Sequence, residues 1–351
     1  MDRGSNNSSP LVTTMIPTFQ RPRLLKRAIL SALEQQGVPL KVCIFDNASG
    51  DDTSTVVASL AAGDPRLQYH RHDHNLGATA NFEFGFNSID TPFFSVLSDD
   101  DYLLPGFYKR AIDDLCRHPD AMFWAGLTLN VDERGDIWNA RGAGWVREGL
   151  FKPPEGLMPL LHGMCPIWTG IMFRRELLEL VGLPDREALG PSDLDFILRI
   201  AMRFPYLLYK VPAAAFTLNS ASYSATEPFS SFWPGWKKMF RNLESNQELD
   251  DAFKAQALVA LHEDAQRMLF RRGANALAQG RYEFARDAAD ALTADYGQAV
   301  RARVLRGIAA LCEWSALAQR AYASAYRFAE RWIVRSRGGL KERYAEFVRP
   351  A

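Results

Sequence analysis

The sequence predicts an α/β fold: an open, mostly parallel sheet flanked by helices, followed by an all-α C-terminal region. Three observations carry the prediction. Three short apolar runs, at residues 11–16, 42–45 and 93–97, and a candidate strand at 67–71 alternate with segments of helical periodicity. The first two runs are separated by a helix and about thirty residues, the spacing of a parallel crossover rather than a hairpin. Past Pro228 the pattern is almost purely helical. The expected organisation is a disordered N-terminus over 1–10, an α/β domain over 11–225 and a helical region over 226–351.

Taken in order, the first strand ends near Pro17, and Pro22 sits where the first turn of a helix tolerates it. Leu24, Leu25, Ala28, Ile29, Ala32 and Leu33 then recur at helical spacing until Gly37. The second strand ends in Asp46. Asp51 or Asp52 caps a helix carrying Val56, Val57 and Leu60, which Gly63-Asp64-Pro65 ends. A third strand, a helix over 78–87 and a fourth strand follow. Residues 121–131 read as a strand leading into a hairpin turn at Asp132-Glu133-Arg134-Gly135. The stretch 139–166, rich in Gly, Pro and Trp, reads as a loop able to cover a site. Ile171-Met172-Phe173 follows as strand or turn, then a helix through Leu177, Leu178 and Val181. Gly190-Pro191-Ser192-Asp193 introduces an amphipathic helix with Phe196, Ile197, Ile200 and Ala201 facing inward. Residues 272–285 resemble a single tetratricopeptide unit, which cannot bury its face alone; a helical cap on the main domain is the expectation.

The chain has 351 residues, enough for a large domain plus an appendage, and 47% of them are hydrophobic. Lys plus Arg equals Asp plus Glu at 41 each, which argues against a nucleic-acid partner. The balance is local, because from Arg301 onward eleven Lys or Arg face four Glu and no Asp. The four cysteines, Cys43, Cys116, Cys165 and Cys312, show no metal-ligand spacing and fit a reducing cytoplasm. The polar first ten residues do not resemble a signal peptide, and no apolar run is long enough to span a bilayer. Membrane contact would therefore be peripheral, at the inner face of a membrane. No Gly-x-Gly-x-x-Gly follows the first strand, and neither a Gly-rich Lys-Ser/Thr loop nor a glycine-flanked serine elbow occurs.

The most informative stretch is Ser98-Asp99-Asp100-Asp101, at the end of the fourth strand. Three like charges there repel one another and gain nothing from burial, so a hard divalent cation is one reading and a solvated helix-capping turn the other. In parallel sheets ligands bind beyond the carboxyl ends of the strands, where Pro17-Thr18-Phe19, Asp46-Asn47 and the three acids converge. A cation held by carboxylates and phosphate oxygens would offset a diphosphate and stabilise its departure from a sugar. The attacking hydroxyl needs a base, and Asp193 is the best candidate.

Residues from about 11 to 220 resemble a family 2 glycosyltransferase of the GT-A fold. The resemblance rests on Met15-Ile16-Pro17-Thr18-Phe19-Gln20-Arg21, Phe45-Asp46-Asn47-Ala48-Ser49, Asn75-Leu76-Gly77, Ser98-Asp99-Asp100-Asp101 and Ser192-Asp193-Leu194-Asp195-Phe196, in the family's order and spacing. It implies inverting transfer of a sugar from a nucleotide donor, usually with Mn²⁺ or Mg²⁺. By the same resemblance, Pro17, Thr18 and Phe19 line the pocket for the base, and Asp46 hydrogen-bonds it. Asp99 and Asp100 contact ribose or diphosphate. Asp101 or a neighbour such as Asp99 ligates the metal, Asp193 is the catalytic base, and Asp195 supports it or caps the helix. Trp168, Thr169 and Gly170 fall on the acceptor side. Three positions depart from the pattern: Ser192 where Glu often precedes the base, Ala80 where Arg often precedes Asn81, and Asn219 where a His often contributes to the metal or diphosphate.

Phe232, Trp233, Trp236, Lys237 and Lys238 form an aromatic–basic cluster that fits either a membrane interface or a domain-docking patch. With the basic tail, it suggests a glycan or lipid-linked glycan acceptor in polysaccharide or envelope assembly, and peripheral membrane contact through the C-terminal region. His70, His72 and His74 alternate on one strand face but lack a further zinc ligand. Two other readings remain open from the residues: a nucleotidyltransferase acting on a sugar phosphate, and a non-catalytic glycan-binding or scaffold subunit.

Overall fold

The computed structural model of the chain describes residues 9–132, 134–219, 226–336 and 339–347. Most of the expected disordered N-terminus and the expected domain boundary at 225 therefore lie outside the described residues. Strands β1 (Val12–Thr18), β2 (Leu40–Asp46), β3 (Leu67–Arg71) and β4 (Phe93–Val96) form a parallel run in the order β3-β2-β1-β4. Every residue of β1, β2 and β4 is buried, as expected for strands covered on both faces. Helices α1 (Pro22–Leu33) and α2 (Thr53–Ala61) cover one face, packing Leu25, Ile29 and Val57 with Ile16 and Ile44. Helix α3 (Ala78–Asn87) covers the other, where Phe86 joins Met15, Cys43 and Phe45. Gly85 allows this close approach, because a Cβ there would lie 2.6 Å from the Met15 sulfur.

Beyond β4 the sheet is mixed rather than mostly parallel. Strand β9 (Ile171–Arg174) runs antiparallel to β4, and β6 (Phe123–Asp132) runs antiparallel to β9. Strand β10 (Tyr206–Leu218) then pairs in parallel with β6, and the two-residue β5 (Tyr102–Leu103) closes the row. Two short strands, β7 (Ile137–Arg141) and β8 (Gly149–Phe151), add to β6 and β10, so the expected loop over 139–166 is partly structured. The change of direction has a local cause: between β6 and β9 the connections are a hairpin and irregular turns instead of helical crossovers. Helices α4 (Phe107–Arg117), α5 (Leu177–Leu180) and α6 (Ser192–Ala201) flank this half. Phe196, Ile197, Ile200 and Ala201 are all buried, as their spacing requires.

The C-terminal region comprises α7 (Phe229–Glu244), α8 (Asp251–Ala278), α9 (Tyr282–Ala294), α10 (Ala299–Trp314), α11 (Ala316–Ser336) and α12 (Gly339–Tyr344). Asp250 caps α8 by accepting from the Phe253 amide at 2.9 Å. The aromatic cluster on α7 faces protein, not a membrane. Phe232, Trp233 and Trp236 are buried, the Trp233 indole donates to Asp295, Lys237 pairs with Asp295, and Lys238 pairs with Asp185 and Glu187. Gly235 brings the helix so close to the 186–188 turn that a Cβ would sit 2.3 Å from the Ala188 carbonyl oxygen. No helix among the described residues is long and apolar enough to cross a membrane.

Candidate active site

The carboxyl ends of β1, β2 and β3 are tied together through their loops. Gln20, at φ +56°, donates its amide to the Ser49 hydroxyl and its side chain to the Ser49 carbonyl, at 2.9 and 3.0 Å. Ser49 in turn donates its amide and hydroxyl to one oxygen of Asp46, while the Tyr69 hydroxyl donates to the other at 2.6 Å. Burial, together with this acidic acceptor, pushes the Tyr69 phenol well above its ordinary range. Asn47 holds Asn75 and the Leu76 amide, at 2.9 and 2.8 Å. The predicted base-binding Asp46 is thus buried with both oxygens engaged, and it does not line the cavity described next.

A cavity of about 470 Å³ opens beside these loops, lined by Pro17, Arg21, Phe82, Asp99, Asp100, Trp168, Arg186, Asp193 and Phe216, among others. Its size suits a small-molecule ligand. The three consecutive acids divide here. Asp99 accepts from the Thr18 hydroxyl at 2.8 Å and from Arg21 Nη1 at 3.0 Å, and the same nitrogen reaches Asp100 at 2.9 Å. Burial pushes the Asp99 carboxyl up to about 6, with Arg21 opposing the shift. Burial also works against the Arg21 charge, but the neighbouring carboxylates outweigh it and the guanidinium is held above its ordinary value. Arg27 donates to the Asp100 carbonyl at 2.6 Å and to the Thr217 hydroxyl at 2.8 Å, fixing the backbone of the run.

Asp101, expected as a metal ligand, does not line the cavity. It is fully buried, and its two oxygens accept from the Thr169 hydroxyl at 2.7 Å and the Thr217 amide at 2.8 Å. Burial, with the adjacent Asp100 charge, raises its carboxyl well above the ordinary range. Asp101 is a strut between β4, β10 and the 168–170 turn. Among the described residues no three His, Cys, Asp or Glu side chains group closely enough to hold a metal by themselves. Asp99 and Asp100 remain as cavity-facing oxygen donors, and two carboxylates suit a Mg²⁺- or Mn²⁺-type cation whose shell is completed by phosphate and water.

Helix α6 presents Asp193 to the same cavity. Acids two residues apart on a helix point to different faces, and Asp193 and Asp195 do so. Asp193 lines the cavity wall, where burial raises its carboxyl, offset by the Leu194 amide and the Arg141 charge. Asp195 points inward, accepting from Arg199 at 2.9 Å and from Asn242 of α7 at 2.8 Å. Asn242 also donates to Asp185 at 3.1 Å, so the C-terminal region is fastened to the helix that carries the candidate base.

Trp168 stacks on Phe82 with centroids 5.2 Å apart and forms an aromatic wall of the cavity. Gly170 is buried and does not line the cavity, and a Cβ there would lie 2.4 Å from the Thr128 hydroxyl, so it serves close packing. Phe19 does not line the cavity and is exposed. His72 contacts Asn81 at 3.0 Å and His70 stacks on Phe84 at 4.4 Å, so both pack α3 against the sheet. Asn219 lies just past the end of β10. The sequence reading gave no role to Arg21, Phe82, Arg186 or Phe216. Arg21 lies inside a quoted motif, whereas Arg186, paired with Glu83 at the cavity edge, carried no signal.

Residues 13–182 match the family model described as "Glycosyl transferase family 2". The chain carries a family 2 glycosyltransferase domain. The match sets aside the nucleotidyltransferase alternative and agrees with the resemblance read from the motifs. One curated relative, "GalNAc(5)-diNAcBac-PP-undecaprenol beta-1,3-glucosyltransferase" of Campylobacter jejuni, is 35% identical over 98 residues, 28% of this chain and 32% of that protein. Against this and other curated relatives, the chain spans between 24% and 75% of their length. Among solved structures, Staphylococcus aureus TarS 1-349 in complex with UDP-GlcNAc superposes with a TM-score of 0.60 at 14% identity, covering 91% of this chain and 92% of that one. The mannosyltransferase PcManGT of Pyrobaculum calidifontis, in complex with GDP-Man and Mn²⁺, gives a TM-score of 0.52 at 20% identity, covering 93% and 87%. These superpositions establish the GT-A fold with its helical extension.

Proposed function

We propose that this glycosyltransferase moves a sugar, with inversion, from a nucleoside-diphosphate donor to a hydroxyl of a glycan or lipid-linked glycan. The observation that carries the reading is that Asp99, Asp100 and Asp193, remote in sequence, line one cavity with an aromatic wall of Trp168 and Phe82. Asp99 and Asp100 would hold a Mn²⁺ or Mg²⁺ ion together with the donor diphosphate. When bound, that ion supplies positive charge to the leaving group. Arg21 then exchanges part of its pairing with the two acids for a phosphate oxygen. Pro17, Thr18 and Phe19 border the donor base. Asp46 acts by holding Tyr69 and the Ser49 loop, and it reaches the base by exchanging one of these donors.

Asp193 takes the proton of the acceptor hydroxyl as its oxygen bonds to the anomeric carbon. The bond from that carbon to the diphosphate oxygen breaks, and its electron pair leaves with the nucleoside diphosphate. Attack from the opposite face inverts the centre without a covalent intermediate. The raised Asp193 carboxyl is a stronger base than an ordinary surface Asp, while Trp168 offers a face on which a sugar ring can stack. The donors bound by TarS and PcManGT, and the undecaprenol-linked acceptor in the Campylobacter enzyme's name, support this substrate class.

The test is a panel of UDP- and GDP-sugars incubated with the full chain and Mn²⁺, scored for released nucleoside diphosphate. One or a few donors should be turned over, with dependence on divalent cation. Absence of cation-dependent nucleoside diphosphate binding, measured by calorimetry, would indicate a non-catalytic subunit and overturn the proposal.

A further inference from the structure

The last two long helices leave an apolar face bare. On α10, Val300, Val304, Leu311 and Trp314 recur at helical spacing on the outer side, and Trp314 is 84% exposed. On α11, Leu317, Phe328 and Trp332 do the same, at 76%, 71% and 64% exposure. Spacings of eleven and four residues put these three on one stripe with Ala321, while the opposite side, with Ala323, faces protein. The outermost helix of a stacked helical array ordinarily presents a polar face to water. Two tryptophans, a phenylalanine and several aliphatic side chains, at roughly 150–250 Å² per aromatic, exceed what a soluble monomer commonly leaves exposed.

Charge indicates what covers this face. Arg320, Arg327 and Arg331 are exposed along one flank of the stripe, and among the described residues none of them is ion-paired to an acid. Glu330, the acid nearest in sequence to Arg327 and Arg331, lies on the half-buried side with Tyr326, and Glu313, nearest to Arg320, pairs with Arg286. A second copy of the chain would bring its own Arg320, Arg327 and Arg331 to the contact, and the two basic flanks would repel. An anionic bilayer surface meets both needs: Trp and Phe enter the headgroup boundary, and the arginines remain among lipid phosphates.

We infer that the outer face of α10 and α11 docks the enzyme on an anionic lipid surface. This does not rest on the sugar chemistry, and it moves membrane contact from the buried α7 cluster to a different part of the C-terminal region.

The test is co-sedimentation of the full chain with phosphatidylcholine vesicles, with and without phosphatidylglycerol. The wild-type chain should bind the anionic vesicles, at least tenfold more weakly when salt is raised or the anionic lipid is omitted. Phe328→Glu with Trp332→Glu should abolish binding, and Arg320→Gln with Arg327→Gln and Arg331→Gln should weaken it at least tenfold. All five side chains are exposed, so thermal unfolding should be little changed. Equal binding of wild type and variants, or no wild-type binding, overturns the inference. So does a wild-type dimer, seen by sedimentation equilibrium, that Trp332→Glu dissociates, because the face would then belong to a second copy.

Discussion

Replacing Asp101 separates the strut in the carboxylate run from its ligand-facing neighbours. Asp101→Ala removes both acceptors at once, stranding the Thr217 amide and the Thr169 hydroxyl, which now donate at 2.8 and 2.7 Å. A buried donor left unpaired costs about 1–3 kcal/mol, so the pair is worth about 2–6 kcal/mol. At about 2–4 °C per kcal/mol for a domain of this size, melting should fall on the order of 10 °C. Asp100→Asn loses only a contact to the partly exposed Arg21 and should melt within about 3 °C of wild type. Calorimetric titration with UDP or GDP, with and without Mn²⁺, supplies the second axis. Asp100→Asn should lose the cation-dependent part of binding, whereas Asp101→Asn, which keeps one acceptor, should retain it. The reasoning fails if Asp101→Ala melts like wild type while Asp101→Asn loses cation-dependent binding, because Asp101 would then be the ligand.

Three further outcomes follow from other contacts. Asn242→Ala cuts the hydrogen bonds from α7 to Asp195 and Asp185 and should destabilise by about 1–3 kcal/mol, read from the melting temperature. It should also lower kcat more than it raises KM, because the helix carrying Asp193 is loosened. Gly170→Ala places a Cβ 2.4 Å from the Thr128 hydroxyl and should cost about 1–3 kcal/mol through overpacking, measured by denaturant unfolding. Asp193 supplies the pH dependence. Its folded carboxyl holds its proton to a higher pH than in the unfolded chain, so its ionisation lowers stability as pH rises from the ordinary Asp value through the raised one. Asp193→Asn should therefore raise the melting temperature at pH 7 and lose that advantage in acid, while the acid limb of wild-type turnover lies above the ordinary carboxylate range.

The parallel half of the domain is legible in the sequence because β1, β2 and β4 are short apolar runs and every strand there, including the more polar β3, is bounded by helix signals. Both β3 and α3 fall on the expected residues, since Gly77 and Ser88 flank an uninterrupted helical pattern. Strand β10 is not legible: Lys210 and Pro212 break its apolar alternation, and its register against β6 slips on both sides of Pro212. Asp101 could not be told from its neighbours, because three identical side chains differ only in what meets them, and Thr169 and Thr217 are remote in the chain. The α7 cluster shows the same limit. Amphipathic spacing identifies an apolar face, but whether protein or lipid covers it depends on helices that arrive later in the sequence. The place of Asp193 on the cavity wall was legible because an acid in the first turn of a helix falls at the expected carboxyl-end crevice.

Asp193→Asn, assayed on a donor that the panel identifies, tests the central claim most directly. Nucleoside diphosphate binding should stay within about threefold of wild type, while turnover should fall by a factor of about 10²–10⁴, the contribution of a positioned base. Wild-type turnover by Asp193→Asn would contradict the account.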